Sequence, residues 1–124
     1  MSRQFNESSV RAFPCQVALG EGVAVKFSSG YIVAATAGTD KIIGVTDVSN
    51  DAGQDAQVRL RSGCGTASLR AGGNIAVGDY VTATTAGEHI ATTTAGNEIV
   101  GCALETAAND DFFEAMLWTG TVKA

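Results

Sequence analysis

The feature of this chain that most constrains its fold is an internal repeat. The phrase "TAGTDKIIG" at residues 36–44 returns as "TAGNEIVG" at residues 94–101. The similarity continues on both sides, and Gly20-Glu21-Gly22-Val23 aligns with Gly78-Asp79-Tyr80-Val81. The offset is 57 or 58 residues over more than 25 positions, which indicates one supersecondary unit used twice.

Each copy has the pattern of short strands separated by turns. Val23, Val25 and Phe27 alternate with other residues, a period of two that places three apolar side chains on one face. The same reasoning predicts about nine strands, at residues 23–27, 31–35, 41–48, 56–61, 63–70, 80–84, 89–93, 98–104 and 112–119. In the fourth strand the alternation places Arg59 and Arg61 in water.

The predicted fold is therefore all-β, a compact β-barrel or sandwich built from an internal duplication. One copy alone would leave an apolar face and open sheet edges in water, whereas two copies can cover each other. We expect a single β domain at residues 17–124, with repeat units at about 19–61 and 76–119. Residues 1–16 are polar and lie outside the repeat, so they are predicted to form an extended N-terminal arm.

Charge and cysteine content exclude several kinds of partner. The chain has a net charge of -5, and an acidic surface argues against a nucleic acid partner. It has 3 cysteines, Cys15, Cys64 and Cys102, without a C-x-x-C spacing, which argues against a disulfide framework and a zinc site. No apolar run is long enough for a signal peptide or a membrane span, so we expect no membrane partner and synthesis in a cytoplasm.

The sequence predicts no enzyme, cofactor or metal. His89 is the only histidine, and its strand position predicts an outward-facing side chain rather than a catalytic base. The acidic loops at residues 50–51 and 109–111 lack the alternating ligands of a calcium loop. Lys41, the one lysine near a turn, lacks the neighbours of a biotinyl or lipoyl attachment site.

The closing strand carries more large apolar side chains than one face of a small barrel can bury. Phe113, Ala115 and Leu117 share one face. The other face holds Phe112, Glu114, Met116 and Trp118. Aromatic and Met residues in such a cluster favour a subunit interface, formed by Phe112, Met116 and Trp118; the alternative is a strand buried on both faces.

Three stretches together carry a family likeness: "LGEGVAVKF", "IVAATAGTDKIIGV" and "LRAGGNIAVGDYVTATTAGEHIATTTAGNEIVGCALE". Over about residues 17–118 the chain resembles the capsid decoration proteins of tailed bacteriophages, also called cement or head-stabilisation proteins. The resemblance implies a structural virion protein, a homotrimer that binds the major capsid protein at threefold positions on the outer surface of the mature head and stabilises it.

The resemblance also implies a role for the N-terminal arm. In related decoration proteins such an arm adds a strand to an edge of the capsid protein. Here residues 2–13 would do so, with Phe5, Val10, Arg11 and Phe13 at the capsid interface. The alternative function is a small β-barrel that binds a ligand or sugar, with Tyr31, Tyr80 and Trp118 as stacking platforms. An enzyme ranks third.

Overall fold

A computed structural model describes residues 10–62 and 65–123, and these form ten strands and one 3-10 turn at Thr85–Gly87. The first five strands are β1 (Val10–Phe13), β2 (Ala24–Ser28), β3 (Tyr31–Ala34), β4 (Gly44–Thr46) and β5 (Ala56–Leu60). The second five are β6 (Thr66–Arg70), β7 (Tyr80–Ala83), β8 (His89–Ala91), β9 (Glu98–Ala103) and β10 (Phe112–Thr121). The all-β prediction is confirmed.

The duplication is also present in the topology. The strands form two five-stranded antiparallel sheets, in the orders β1-β5-β4-β2-β3 and β6-β10-β9-β7-β8. Each strand of the first sheet therefore has a counterpart in the second, five strands later. The strand that the sequence did not predict is β1, which lies in the region assigned to the arm and corresponds to β6.

The predicted alignment of the copies is wrong by two residues at their first strand. The Gly22 N–H donates to the Thr46 carbonyl oxygen at 3.0 Å, and the Gly78 N–H donates to that of Ala103 at 2.8 Å. Gly22, not Gly20, is thus the counterpart of Gly78. Both glycines have a positive φ, +70° and +89°, a conformation that glycine adopts without the clash of a Cβ atom.

Each sheet curls until its outer strands meet. The Ile32 N–H in β3 donates to the Pro14 carbonyl oxygen, directly after β1, at 3.1 Å. In the second sheet the Gly72 N–H donates to the His89 carbonyl oxygen at 2.6 Å. The curl of the first sheet encloses a small core, formed by Phe13, Cys15, Leu19, Val25, Ile32, Ala56 and Val58. Each repeat is thus close to a barrel of its own.

The two repeats share the larger core. Ala24, Ala35, Ile42 and Val45 of the first repeat join Leu69, Val81, Phe113 and other apolar residues of the second. At this junction the Arg70 N–H donates to the Gly22 carbonyl oxygen at 3.0 Å. A Cβ atom on Gly22 would lie 2.8 Å from the Ser68 carbonyl oxygen, so the close approach of the repeats needs a glycine there.

The predicted exposure of Arg61 is also wrong. This residue was expected in water beside Arg59, yet only 6% of it is exposed. β5 ends at Leu60, so the alternation stops there and the Arg61 side chain crosses to the second repeat. Arg59 follows the prediction more closely, because its partly exposed guanidinium pairs with Asp47 at 3.1 Å.

Candidate interaction surface

The outer face of β10 carries large apolar side chains. β10 lies between β6 and β9, so its side chains alternate between the core and the outside. Phe113, Ala115 and Leu117 are buried, as predicted. The exposed fractions on the other face are 45% for Phe112, 38% for Met116 and 43% for Trp118. The strand is therefore not buried on both faces.

These side chains continue across the neighbouring strands. Met116 lies opposite Cys102 of β9, and Cys102 lies opposite Tyr80 of β7. Tyr80 is 45% exposed, and its ring centroid is 6.3 Å from that of Trp118. We call Tyr80, Cys102, Phe112, Met116 and Trp118 the outer patch. Sequence reasoning proposed Tyr80 as a stacking platform but did not place Tyr80 or Cys102 beside Met116, because strand pairing, not spacing along the chain, brings them together.

Glu114 is the charged group in the middle of the exposed face of β10. The Thr66 hydroxyl on β6 donates to its carboxylate oxygen at 2.7 Å, which directs the carboxylate toward β6. At the end of the strand, the Arg70 guanidinium carbon lies 6.0 Å from the Phe112 ring centroid. The same guanidinium pairs with Glu88 at 2.9 Å. On the β9 side, the Glu105 carboxylate accepts the Glu114 backbone N–H at 2.7 Å, so polar groups surround Phe112, whereas Met116 and Trp118 lie further along the strand.

Along β5 the first repeat has polar residues where β10 has Glu114 and Met116. The counterparts of Tyr80 and Cys102, in contrast, are Ala24 and Val45, which are buried in the core that the two repeats share. Strand pairing places Arg59 opposite Val45 and Met116 opposite Cys102, so Arg59 is the counterpart of Met116. Gln57, which is exposed, is likewise the counterpart of Glu114. The face that the first repeat buries against the second at Ala24 and Val45 is thus exposed in the second repeat at Tyr80. An exposed apolar patch of this kind typically marks an interaction surface.

The predicted arm residues lie partly on β1. Phe5 is outside the described residues, whereas Val10, Arg11 and Phe13 form an antiparallel pair with β5 of the same chain. Phe13 is 6% exposed and belongs to the core of the first sheet. Arg11 is exposed, and its guanidinium carbon lies 4.7 Å from the Phe13 ring centroid. The described end of the arm is therefore attached to its own sheet.

His89 is buried in the second sheet, so its predicted outward orientation is wrong. Strand pairing makes it the counterpart of Ile32, and both residues are 0% exposed. Its Nδ1 lies 3.1 Å from the Arg70 carbonyl oxygen, and its Nε2 has no hydrogen-bond partner among the residues that the structure describes. Burial lowers the pKa of His89 from 6.5 to about 4. The imidazole is therefore neutral near pH 7 and is out of reach of solvent.

The described residues 10–62 and 65–123 contain no group of three His, Cys, Asp or Glu side chains placed to hold a metal ion. Within the same residues, no helix is both long and apolar enough to cross a membrane. Cys15 is buried and Cys102 half-buried, and both are free thiols; Cys64 lies outside the described residues.

The aromatic residues predicted as a sugar platform do not all meet. Tyr31 is on β3 of the first sheet, whereas Tyr80 and Trp118 lie together on the second. A cleft of about 370 Å³ opens between the repeats and is lined mainly by polar and charged residues, among them Asp47, Arg59, Glu105 and Glu114. It borders Phe112 but contains none of the three predicted stacking residues.

Comparison with known proteins gives a matching family and similar solved structures. A family model described as phage cement protein matches residues 14–117. The crystal structure of the head fiber gp8.5 N base in bacteriophage phi29 is similar with a TM-score of 0.71 and 19% identity, covering 93% of this chain and 98% of that chain. At that identity the likeness shows a shared fold. No curated protein matches the chain.

Proposed function

The chain belongs to the phage cement protein family, as its match over residues 14–117 shows, and from that premise we propose that it binds the outer surface of the mature phage head as a homotrimer. It is a structural protein of the phage head. In this proposal the trimer sits at threefold positions, contacts the major capsid protein and stabilises the shell. The observation on this molecule that carries the proposal is the outer patch.

We assign the outer patch, and with it Phe112, Met116 and Trp118, to the contact between subunits. Two copies of a chain with a net charge of -5 repel each other over most of their surfaces. The row of Met116, Cys102 and Tyr80 beside Trp118 is uncharged, so copies can meet along this row without bringing carboxylates together. The Glu114 carboxylate, between Phe112 and Met116, accepts the Thr66 hydroxyl of its own chain. Aromatic and Met side chains are the types enriched in the centres of such interfaces.

We assign the contact with the capsid protein to the N-terminal arm. Phe13 fixes the arm to the core of the first sheet, and Val10 and Arg11 precede it on the edge strand β1. From this base, Phe5 and its neighbours add to an edge of a capsid protein by β-augmentation. Three arms of one trimer act together, so modest single contacts combine into slow dissociation.

The proposal also covers the localisation of the protein and its lack of catalytic activity. The protein is synthesised in the bacterial host cytoplasm and acts on the outer capsid surface of the virion. It uses no cofactor and carries out no catalysis. Support for this comes from the family, which is one of structural proteins, and from the burial of His89, which removes the single histidine from contact with a substrate.

Co-sedimentation with expanded and unexpanded shells of the head protein tests the proposal. A variant lacking residues 2–9 keeps β1 in place, unlike a deletion through Phe13, which would remove part of the core. We expect saturable binding of the full chain to expanded shells and loss of binding for the deletion. A variant with residues 2–9 in scrambled order is the matched control for length. Equal binding by all three would contradict the role of the arm.

A second function, the binding of a sugar, rests on the exposed pair Tyr80 and Trp118. Their ring centroids lie 6.3 Å apart with an interplanar angle of 54°, and exposed aromatic rings of this kind stack on sugars. A glycan array separates the two functions. A glycan that binds the full chain but not the Trp118→Ala variant would support the sugar site. If no glycan binds the full chain, the sugar-binding function is refuted.

A further inference from the structure

β10 contains an extra residue at the point where it carries Trp118. Leu117 lies opposite Gly101, but the next pair joins Gly120 to Ile99. Three steps along β10 therefore match two steps along β9, which is the geometry of a β-bulge. Trp118 and Thr119 are both exposed, so the alternation of inner and outer side chains stops there. A bulge of this kind redirects a side chain.

The carbonyl groups of this bulge receive hydrogen bonds from Arg61 of the other repeat. Arg61 Nε donates to the Trp118 carbonyl oxygen at 3.0 Å, and Nη2 donates to that of Gly120 at 3.2 Å. Nη1 donates to the Ile42 carbonyl oxygen at 2.8 Å and lies 3.4 Å from a Glu98 carboxylate oxygen. One guanidinium, 6% exposed, thus holds both sides of the bulge.

The chemistry of these contacts is specific to arginine. A guanidinium is planar and presents its donors in a fixed fork, which matches carbonyl groups that diverge on either side of a bulge. A lysine ammonium is a single point of charge and reaches one of these positions at a time. Lysine at position 61 would therefore keep the charge and lose the simultaneous contacts.

Arg61 and Trp118 occupy corresponding places in the two repeats. Each follows a leucine that lies opposite a glycine, Leu60 with Gly44 and Leu117 with Gly101. In the first repeat this place supplies an inward side chain, and in the second it supplies an exposed ring beside Tyr80. The two repeats thus differ at this position, and the two residues that occupy it, Arg61 and Trp118, contact each other through the Arg61 guanidinium and the Trp118 carbonyl oxygen.

We propose that Arg61 is the positioning residue of the outer patch: through the bulge carbonyls it fixes the orientation of Trp118 against Tyr80. Assembly of a second copy on the patch then depends on a residue that the partner never touches. The statement about assembly rests on the proposed function, whereas the statement about the orientation of Trp118 does not.

Trp118 is the single tryptophan of the chain, so its fluorescence reports its surroundings directly. We expect the Arg61→Lys variant to keep its far-UV circular dichroism and to show a shifted emission maximum, stronger acrylamide quenching and a weaker near-UV aromatic signal. Arg59→Lys is the matched control, because Arg59 lies on the same segment and pairs with Asp47; it leaves the Trp118 emission unchanged.

Self-association supplies the second measurement. We expect a roughly tenfold weaker association for Arg61→Lys, because the Trp118 ring must return to its orientation against Tyr80 before a second copy can bind. If that variant does not fold, Arg61→Met replaces it, since it removes the buried charge together with its bonds. A folded variant at position 61 with the emission and quenching of the parent protein would overturn the inference.

The two proposals fail in different ways. Normal self-association of a Trp118→Ala variant would refute the outer patch as the subunit contact, and the fluorescence of the Arg61 variants would still decide whether Arg61 orients Trp118. Loss of association in Trp118→Ala, together with altered fluorescence but normal association in Arg61→Lys, would overturn the dependence of assembly on Arg61. Loss of association in both, with the emission shift, is the result that we expect.

Discussion

Replacement of His89 by isoleucine should make the protein less sensitive to acid. Ile32 occupies the corresponding place in the first repeat, fully buried, so a side chain of that shape suits the site. In the folded protein burial lowers the pKa of His89 from 6.5 to about 4. Between these values the unfolded chain binds a proton that the folded protein does not, so the free energy of unfolding falls as the pH falls.

The size of the effect follows from the difference between the two pKa values. A difference of about 2.5 units at 1.36 kcal/mol per unit gives a loss of about 3 kcal/mol as the pH falls from 7 to 4. Stability from this group is complete above 6.5 and is lost as the pH falls through about 4. The His89→Ile variant lacks this loss and also lacks the unpartnered Nε2.

Urea unfolding of both proteins at several pH values between 7.5 and 4 measures the difference. The carboxylates titrate in the same way in both, so their contribution cancels when the two free energies of unfolding are subtracted. We expect the variant to gain about 3 kcal/mol on the parent protein across this range. A difference that stays constant from pH 7.5 to pH 4 would refute the burial of a neutral imidazole.

Three further predictions concern the turn glycines, an acidic turn and the outer patch. Gly22→Ala should destabilise the fold by more than about 2 kcal/mol in urea unfolding, because a Cβ meets a carbonyl oxygen at 2.8 Å. Gly53→Ala, with a positive φ but nothing within 4 Å, should lose less; equal losses would contradict the packing argument. The Asp40 carboxylate accepts the Thr36 backbone N–H and pairs with the Lys26 ammonium at 3.1 Å, and these two contacts, the Thr36 bond first, hold its pKa at about 2. Asp40→Ala should therefore lower the free energy of unfolding by about 1–2 kcal/mol, and an unchanged urea midpoint would count against it. Trp118→Ala should weaken self-association about thirtyfold in light scattering, whereas Gln57→Ala, on the outer face of the first sheet, should not; equal association constants would exclude the outer patch.

The sequence predicts the parts of the fold that depend on local pattern. Period-two alternation gave the correct inner and outer faces of β10, including exposed Phe112 and Met116. The internal repeat predicted the duplicated architecture, because each copy carries its own turn signals. These properties follow from which residues share a face, and that is fixed by the pleat of a strand.

Contacts between distant segments could not be predicted in this way. Gly20 and Gly22 are both glycines two positions apart, so the sequence alone does not show which one corresponds to Gly78. That depends on which of them contacts β6 in the folded chain. His89 and Arg61 have polar side chains, and polar side chains are usually exposed. His89 is buried because the second sheet curls around it, and Arg61 is buried because the strand alternation stops where β5 ends. β1 was missed because its partner, β5, lies more than 40 residues further along the chain.

The most direct test of the proposed function is sedimentation of the purified chain with shells of the head protein encoded in the same genome. Expanded and unexpanded shells are compared over a range of protein concentrations. The proposal predicts saturable binding to expanded shells alone, at one trimer per threefold site. Absence of binding to either shell would contradict it.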